Sequence, residues 1–319
     1  MHRPGRIVRL LTLLAGFFGG WGSADVRAQA WLSPKGEGVL SLTYGHSLVR
    51  SHSFADGRTL DVGHVGTDTM AIDFGYAITD RIGVTLGLPY VASRYQGPRP
   101  HQFPIDDGHR HSGVQDFRGE VRWQALRGPI ALAPFAAVVL PSHNYEYFGH
   151  SSIGRQLRGL SLGAALGRRL NPILPAAYLQ GQYAFTVEER VLGRSPRRSN
   201  LSLELGYFVT PSVSVFALAA GQQTHGGLDV YLDYRQKLTA EQYHHHDQML
   251  RSNYLELGGG AAVALTQSLQ AFGSLITTRW SENGHAISLG VSVGLTWSVS
   301  PAQLLRSARP ASRTLHAGS

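Results

Sequence analysis

The chain has 319 residues, of which 16% are charged against roughly 25% in ordinary soluble domains. Glycine reaches 38 residues, well above its usual share of about 7%, and cysteine is absent. The lack of cysteine excludes a disulfide framework, a thiol nucleophile and thiolate-held zinc or iron–sulfur sites, and a mean hydropathy of −0.11 excludes a bundle of transmembrane helices.

The first thirty residues read as an export signal. Arg3, Arg6 and Arg9 form a basic start, 10–21 is an apolar run, and Ala28-Gln29-Ala30 is a small-residue cleavage pattern. The run is too short and too rich in glycine to cross a bilayer as a helix, which takes about 20 residues. Cleavage after Ala30 would remove four arginines and one aspartate, so the net charge of +8 would fall to +5. An exported chain with so small a basic excess has no reason to bind nucleic acid.

From Trp31 onward the residues alternate with period two, the mark of strands with two unlike faces. Met70, Ile72, Phe74 and Tyr76 share one face against Ala71, Asp73, Gly75 and Ala77. Ile82, Val84, Leu86, Leu88 and Tyr90 follow across a tight turn, and Phe117, Gly119, Val121 and Trp123 stand against Asp116, Arg118, Glu120 and Arg122. Leu201, Leu203, Leu205 and Tyr207 repeat the pattern, as do Ile287, Leu289, Val291, Val293, Leu295 and Trp297. Strands are expected at 38–49, 68–78, 82–92, 116–126, 130–140, 157–167, 174–187, 199–209, 213–221, 252–265, 269–278 and 286–298. Both faces are largely apolar at 130–140, 213–221 and 269–278, which leaves their orientation open.

Short turns (79–81, 127–129, 168–173, 210–212, 266–268) alternate with longer loops (50–67, 93–115, 141–156, 188–198, 222–251, 279–285). That asymmetry, an even number of strands and one purely apolar face fit an outer-membrane barrel with short periplasmic turns and long extracellular loops. Closure would satisfy every backbone group within the bilayer. Tyr44, Tyr76, Tyr90, Trp123, Tyr207, Trp280 and Trp297 fall near strand ends, where an aromatic girdle belongs. The expected fold is all-β, a twelve-stranded antiparallel up-and-down transmembrane β-barrel over 31–298. A cleaved signal peptide (1–30) would precede it. A basic, disordered periplasmic tail (299–319) with Arg306, Arg309 and Arg313 would follow.

Polar residues on the inward face are the candidate site. Asp73, Arg118, Glu120, Arg122, Glu204 and Glu256 should line the lumen, with Tyr178, Gln180 and Gln182 nearby. Arg118 and Arg122 flank Glu120 on one strand face at about 7 Å per step. Such a set can act as a selective constriction or as an ion-pair network bracing a narrow barrel. Thirteen histidines lie in or beside the expected extracellular loops, among them the run His244-His245-His246. Three adjacent imidazoles cannot alone build a rigid tetrahedral metal site, so these are weak candidates and no metal or other cofactor is expected. Neither G-x-S-x-G nor H-E-x-x-H occurs, and no enzyme activity is expected.

The segment Tyr76-Ala-Ile-Thr-Asp-Arg-Ile-Gly-Val-Thr-Leu-Gly-Leu-Pro-Tyr90 resembles a recurring hairpin of a known family. Ser112-Gly-Val-Gln-Asp116 and Gly128-Pro-Ile-Ala-Leu132, running on to Val139-Leu-Pro141, continue the likeness. The family comprises outer-membrane proteins grouped under the meta-pathway of phenol degradation and regarded as transporters. Gln115 departs from its usual glycine, and Ser142 stands where Thr-Gly often follows the proline. The resemblance is clearest over 70–170 and implies a small outer-membrane channel passing aromatic or other hydrophobic compounds. It carries over no substrate-binding residue.

The expected function is passive uptake or efflux of small molecules through the outer membrane. The alternative is a non-transport surface barrel, an adhesin or structural protein whose long loops bind a partner. Expected partners are membrane lipid, lipopolysaccharide and a small solute, with the oligomeric state left open. The longest loop, 222–251, would be a lid or constriction if it folds inward.

Overall fold

The structure, a computed structural model, describes residues 30–61, 63–97 and 104–300. The expected signal sequence before Ala30 and the tail beyond Ser300 lie outside the described residues.

Strands β1 (Gly38–Ser53), β2 (Thr59–Leu60), β3 (His64–Ala77), β4 (Ile82–Gln96), β5 (Arg110–Val114), β6 (Asp116–Trp123) and β7 (Ile130–Pro141) form the first half of the sheet. Strands β8 (Gly159–Arg169), β9 (Ala177–Glu188), β10 (Arg197–Phe208), β11 (Val213–His225), β12 (Asn253–Ala264), β13 (Leu269–Glu282) and β14 (Gly284–Val299) complete it. Neighbours pair antiparallel in chain order, and β14 returns to pair with β1 from Gly38↔Val299 to Ser53↔Gly284. Two-residue β2 is a spur on β1 in the first long loop. Both β5 and β6 pair with β4, one strand interrupted at Gln115, where the backbone N–H turns to Pro89 O at 2.9 Å. The result is a closed barrel of twelve strands.

Alternation decides which face meets what. Met70, Leu86 and Leu162 point outward with 63%, 62% and 59% of their surface open, while Ser41, Thr69, Asp73, Ser202 and Ser292 are buried within. A water-soluble barrel would invert this; an apolar belt of this extent belongs against lipid. The faces left open by the sequence resolve the same way, with Ala131, Ala133, Phe135, Phe216, Leu218, Phe272 and Ile276 inside. Tyr76, Trp123, Tyr207 and Trp297 are exposed at the short-turn end and Tyr44, Tyr90 and Trp280 toward the long-loop end. On the outer surface near that end, Asp68 accepts from Tyr44 Oη and meets His46 Nδ1, each at 2.8 Å, and pairs with Arg110. This polar cluster bounds the apolar belt.

Much of the glycine content has a packing reason. Inside the barrel, large aromatic rings lie flat over glycines of the next strand: Phe135 on Gly163, Tyr178 on Gly206, Phe216 on Gly260 and Phe272 on Gly294. A Cβ on any of these glycines would collide with the ring. The absent side chain lets a narrow lumen hold aromatics without voids.

The loops are less regular than the alternation suggests. The expected loop 279–285 is not a loop, because β13 and β14 run on until Asn283 alone turns the hairpin, at φ +56°. Asparagine tolerates this left-handed backbone, and its amide is used at once. Its Nδ2 donates to Leu228 O and its Oδ1 accepts from Val230 N–H, both at 2.7 Å, pinning the longest loop. The first loop also shrinks from 50–67, since β1 continues to Ser53 and β3 starts at His64. The 226–252 loop folds into short helices α1 (Tyr234–Lys237), α2 (Ala240–His244) and α3 (His246–Met249), with a capping box between Thr239 and Gln242.

Candidate functional site

The lumen is layered, and each layer traces to a different part of the chain. At the short-turn end, Ala30, Trp31 and Leu32 enter the mouth. Leu32 N–H donates to Gln124 Oε1 at 2.7 Å, and Gln124 Nε2 donates to Ala30 O at 2.9 Å. Ala30 packs with Ala131, Ala133 and Ala165, and Gly167 leaves the space that Ala30 and Trp31 occupy. Above this segment is a small cavity of about 50 Å³ whose walls include Asp73, Glu120 and Arg122.

A side-chain crossbar comes next. Arg122 Nε donates to Glu120 Oε1 at 2.8 Å, and its second guanidinium arm donates to Gln182 Oε1 at 2.9 Å. Glu120 is two residues away on β6, whereas Gln182 sits on β9, so the arm reaches over β7 and β8. It does so across the Phe135 ring, 5.1 Å from its centroid, where a guanidinium is favoured electrostatically. Beyond the bar lies the larger cavity, about 250 Å³, lined among others by Arg118, Glu120, Phe135, Gln182 and Tyr254. Glu120 therefore faces both cavities.

The roof of the upper cavity is the 142–158 loop, which turns into the barrel. Tyr145 Oη donates to Asp116 at 2.6 Å and accepts from Gln156 N–H at 2.9 Å. Arg155 clamps the buried Glu188 with two bonds, at 2.5 and 2.9 Å, and Arg198 adds a third at 3.0 Å. One carboxylate thus joins two guanidiniums where roof meets wall. Bidentate geometry and burial make such a pair directional, so it fixes where the loop sits. The 226–252 loop closes over the roof: Gln248 Nε2 donates to Arg155 O at 2.8 Å, and Tyr147 stacks on His245 at 5.4 Å.

The six inward residues expected from alternation are thus divided. Arg118 and Glu120 line the upper cavity, and Asp73, Glu120 and Arg122 the lower one. Gly87 of β4 stands in register between Asp73 of β3 and Arg118 of β6, and its missing Cβ leaves the space that the Asp73 carboxylate occupies. Glu204 of β10 is buried on the wall, accepting from Tyr178 Oη at 2.7 Å and Gln180 Nε2 at 2.9 Å. Glu256 is buried on the apolar side of the lumen, with Thr278 Oγ1 at 3.4 Å. Alternation missed Arg155, because loop residues have no period. It had placed Glu188 and Arg198 in a loop.

The triplet His244-His245-His246 splits three ways. His244 packs on Phe148, His245 Nδ1 meets Gln248 Oε1 at 2.7 Å, and His246 Nδ1 donates to Tyr243 O at 2.6 Å. Helical geometry spreads the rings to hold the cap together.

No protein-family model matches the chain, and no curated protein matches it in sequence. Solved structures do match. An outer membrane channel from Pseudomonas putida F1 superposes with a TM-score of 0.65 at 14% identity, covering 85% of this chain and 98% of the other. The fold is that of an outer-membrane barrel. The NanC porin (TM-score 0.47, 8% identity, 81% and 98% covered) and the translocator domain of the autotransporter NalP from Neisseria meningitidis (0.48, 12%, 83% and 89%) are more distant. At such identities the likeness extends to architecture alone.

Proposed function

We propose that the protein is an outer-membrane channel for small molecules, with the Glu120–Arg122–Gln182 crossbar as its selective constriction. The observation carrying this reading is that side chains, not backbone, separate the two cavities. A guanidinium bridging Glu120 and Gln182 can swing aside by breaking side-chain contacts, whereas a backbone plug could not. Among the described residues the α-helices lie in the 226–252 loop and a short 3-10 helix at Pro104–Asp106, and none of them lines either cavity.

The solute class follows from the walls. The larger cavity sets Arg118, Glu120, Gln182 and Asn200 opposite an apolar side that includes Phe135, Leu157 and Tyr254. A small solute with one apolar and one polar face, such as a substituted aromatic, suits both walls. This agrees with the transporter family that the Tyr76–Tyr90 hairpin resembles. In this setting the long-loop end faces outside the cell, the short turns face the periplasm, and lipid and lipopolysaccharide surround the belt.

A second reading has one specific support. The 142–158 and 226–252 loops are packed together over the mouth, as they would be in a surface barrel that displays a folded cap. Single-channel recording of the refolded protein in a planar bilayer separates the two. Discrete open steps with ion selectivity support the channel. An inserted, heat-modifiable but silent barrel supports the surface role.

A further inference from the structure

Near the long-loop end, His52 of β1 and His285 of β14 are cross-strand partners at the seam that closes the barrel. His150 comes from the roof loop to join them, its ring 5.1 Å from that of His285. One ring nitrogen from each of the three lies within 4.8 Å of the others, and His52 and His150 are buried. We propose that His52, His150 and His285 bind a divalent borderline metal ion, zinc first, which fastens the roof loop to the seam.

The geometry points to a metal rather than to imidazole packing alone. His52 Nδ1 and His285 Nε2 face each other at 3.3 Å. Two nitrogens each 2.0–2.1 Å from a tetrahedral zinc stand about 3.3 Å apart, so this edge already has the span of a ligand pair. A hydrogen-bonded imidazole pair would explain that distance. It gives no reason for a third imidazole delivered by a separate loop and oriented by a carboxylate. Asp106 Oδ2 lies 3.3 Å from His150 Nδ1, so Nε2 is the nitrogen left to serve as ligand. A carboxylate behind the distal nitrogen is the usual outer partner of a metal-bound histidine, and it fixes the ring and its tautomer. Asp106 is itself held, accepting from Ser151 N–H at 3.1 Å, while Tyr95 stacks on His150 at 4.9 Å.

Space for a water molecule adjoins two of the three rings: a cavity of about 30 Å³ is lined by His150 and His285 with Ser47, Thr67, Val49, Val65 and Ile287. Three imidazoles and an oxygen suit Zn²⁺, Ni²⁺ or Cu²⁺ far better than Mg²⁺ or Ca²⁺. The proposal is independent of whether the lumen conducts.

Cobalt titration of refolded, tag-free protein tests it. One equivalent of Co²⁺ should produce the intense visible bands of a tetrahedral site, displaced by Zn²⁺. His150 lies on a loop, so H150Q should still fold, as its gel mobility before and after heating will report, yet bind at least about tenfold more weakly. D106N should lose about 10–100-fold in affinity, the usual cost of removing an outer partner. The triple variant H244Q/H245Q/H246Q should bind like the native chain. Absence of saturable binding, or bands that survive in H150Q and vanish in the triple variant, would overturn the site.

Discussion

Arg122 on β6 and Gln182 on β9 are 60 residues apart in sequence and 2.9 Å apart in space, joined across two intervening strands. The bond is made over the Phe135 ring, which can lie flat only because Gly163 beneath it has no side chain. A glycine on β8 thus supports a charged bar between strands on either side of it.

The bar should control permeation. Arg122→Ala removes the only positive group bonded to Glu120 Oε1 at this level among the described side chains. Conductance should rise and the permeability ratio shift severalfold toward cations, while Glu120→Ala should shift it toward anions. Reversal potentials in a salt gradient check both. Unchanged selectivity in both variants would remove the constriction.

Glu188 should govern how the roof is seated. Glu188→Ala leaves Arg155 and Arg198 facing each other without their shared carboxylate, and breaking a buried pair this way costs about 3–5 kcal/mol. Arg155→Ala should be milder, freeing the 142–158 loop while Arg198 still neutralises Glu188. Limited proteolysis should nick that loop faster in both variants, with the barrel band intact on a gel.

The segment at the short-turn mouth should be displaceable. A Cβ at Gly167 would collide with the Trp31 ring, so Gly167→Val should displace Trp31 even in a chain cut after Ala30. The fluorescence difference between chains with and without W31F isolates Trp31. That difference should move to longer wavelength in the Gly167→Val background, and single-channel conductance should increase.

The aromatic-on-glycine pairs should carry stability. Gly206→Val drives a side chain into Tyr178, which donates to Glu204. Overpacking of this kind costs about 1–3 kcal/mol. Urea titrations in lipid vesicles should show an earlier midpoint with an unchanged slope, and the double variant with Tyr178→Ala should recover part of the loss.

The strand pattern was legible from end to end. Each of the twelve expected segments overlaps a barrel strand, from 38–49 within β1 to 286–298 within β14. Local sequence sufficed because lipid and lumen impose opposite demands on successive residues, so Met70 and Ala71 must differ whatever the rest of the chain does. The alternation at 68–78 and 82–92 located a hairpin correctly, and Gln115 lies where the strand breaks between β5 and β6. Strand ends were harder to read, because above the apolar belt both faces are polar and the alternation fades. β13 and β14 accordingly ran on to Asn283 unseen.

Outside 130–140, 213–221 and 269–278, where both faces are apolar, the sequence by itself determined which residues face inward, since that depends only on parity along a strand. It could not determine which of them meet. Arg122 finds Gln182 over two strands, Arg155 finds Glu188 from a loop, and His52 finds His285 only because the first and last strands close the barrel. Closure brings residues 233 positions apart into contact, and no local pattern encodes that. Parity is a property of neighbours along the chain. The constriction, the roof and the histidine cluster are properties of the closed cylinder, fixed by strand register and by where aperiodic loops come to rest.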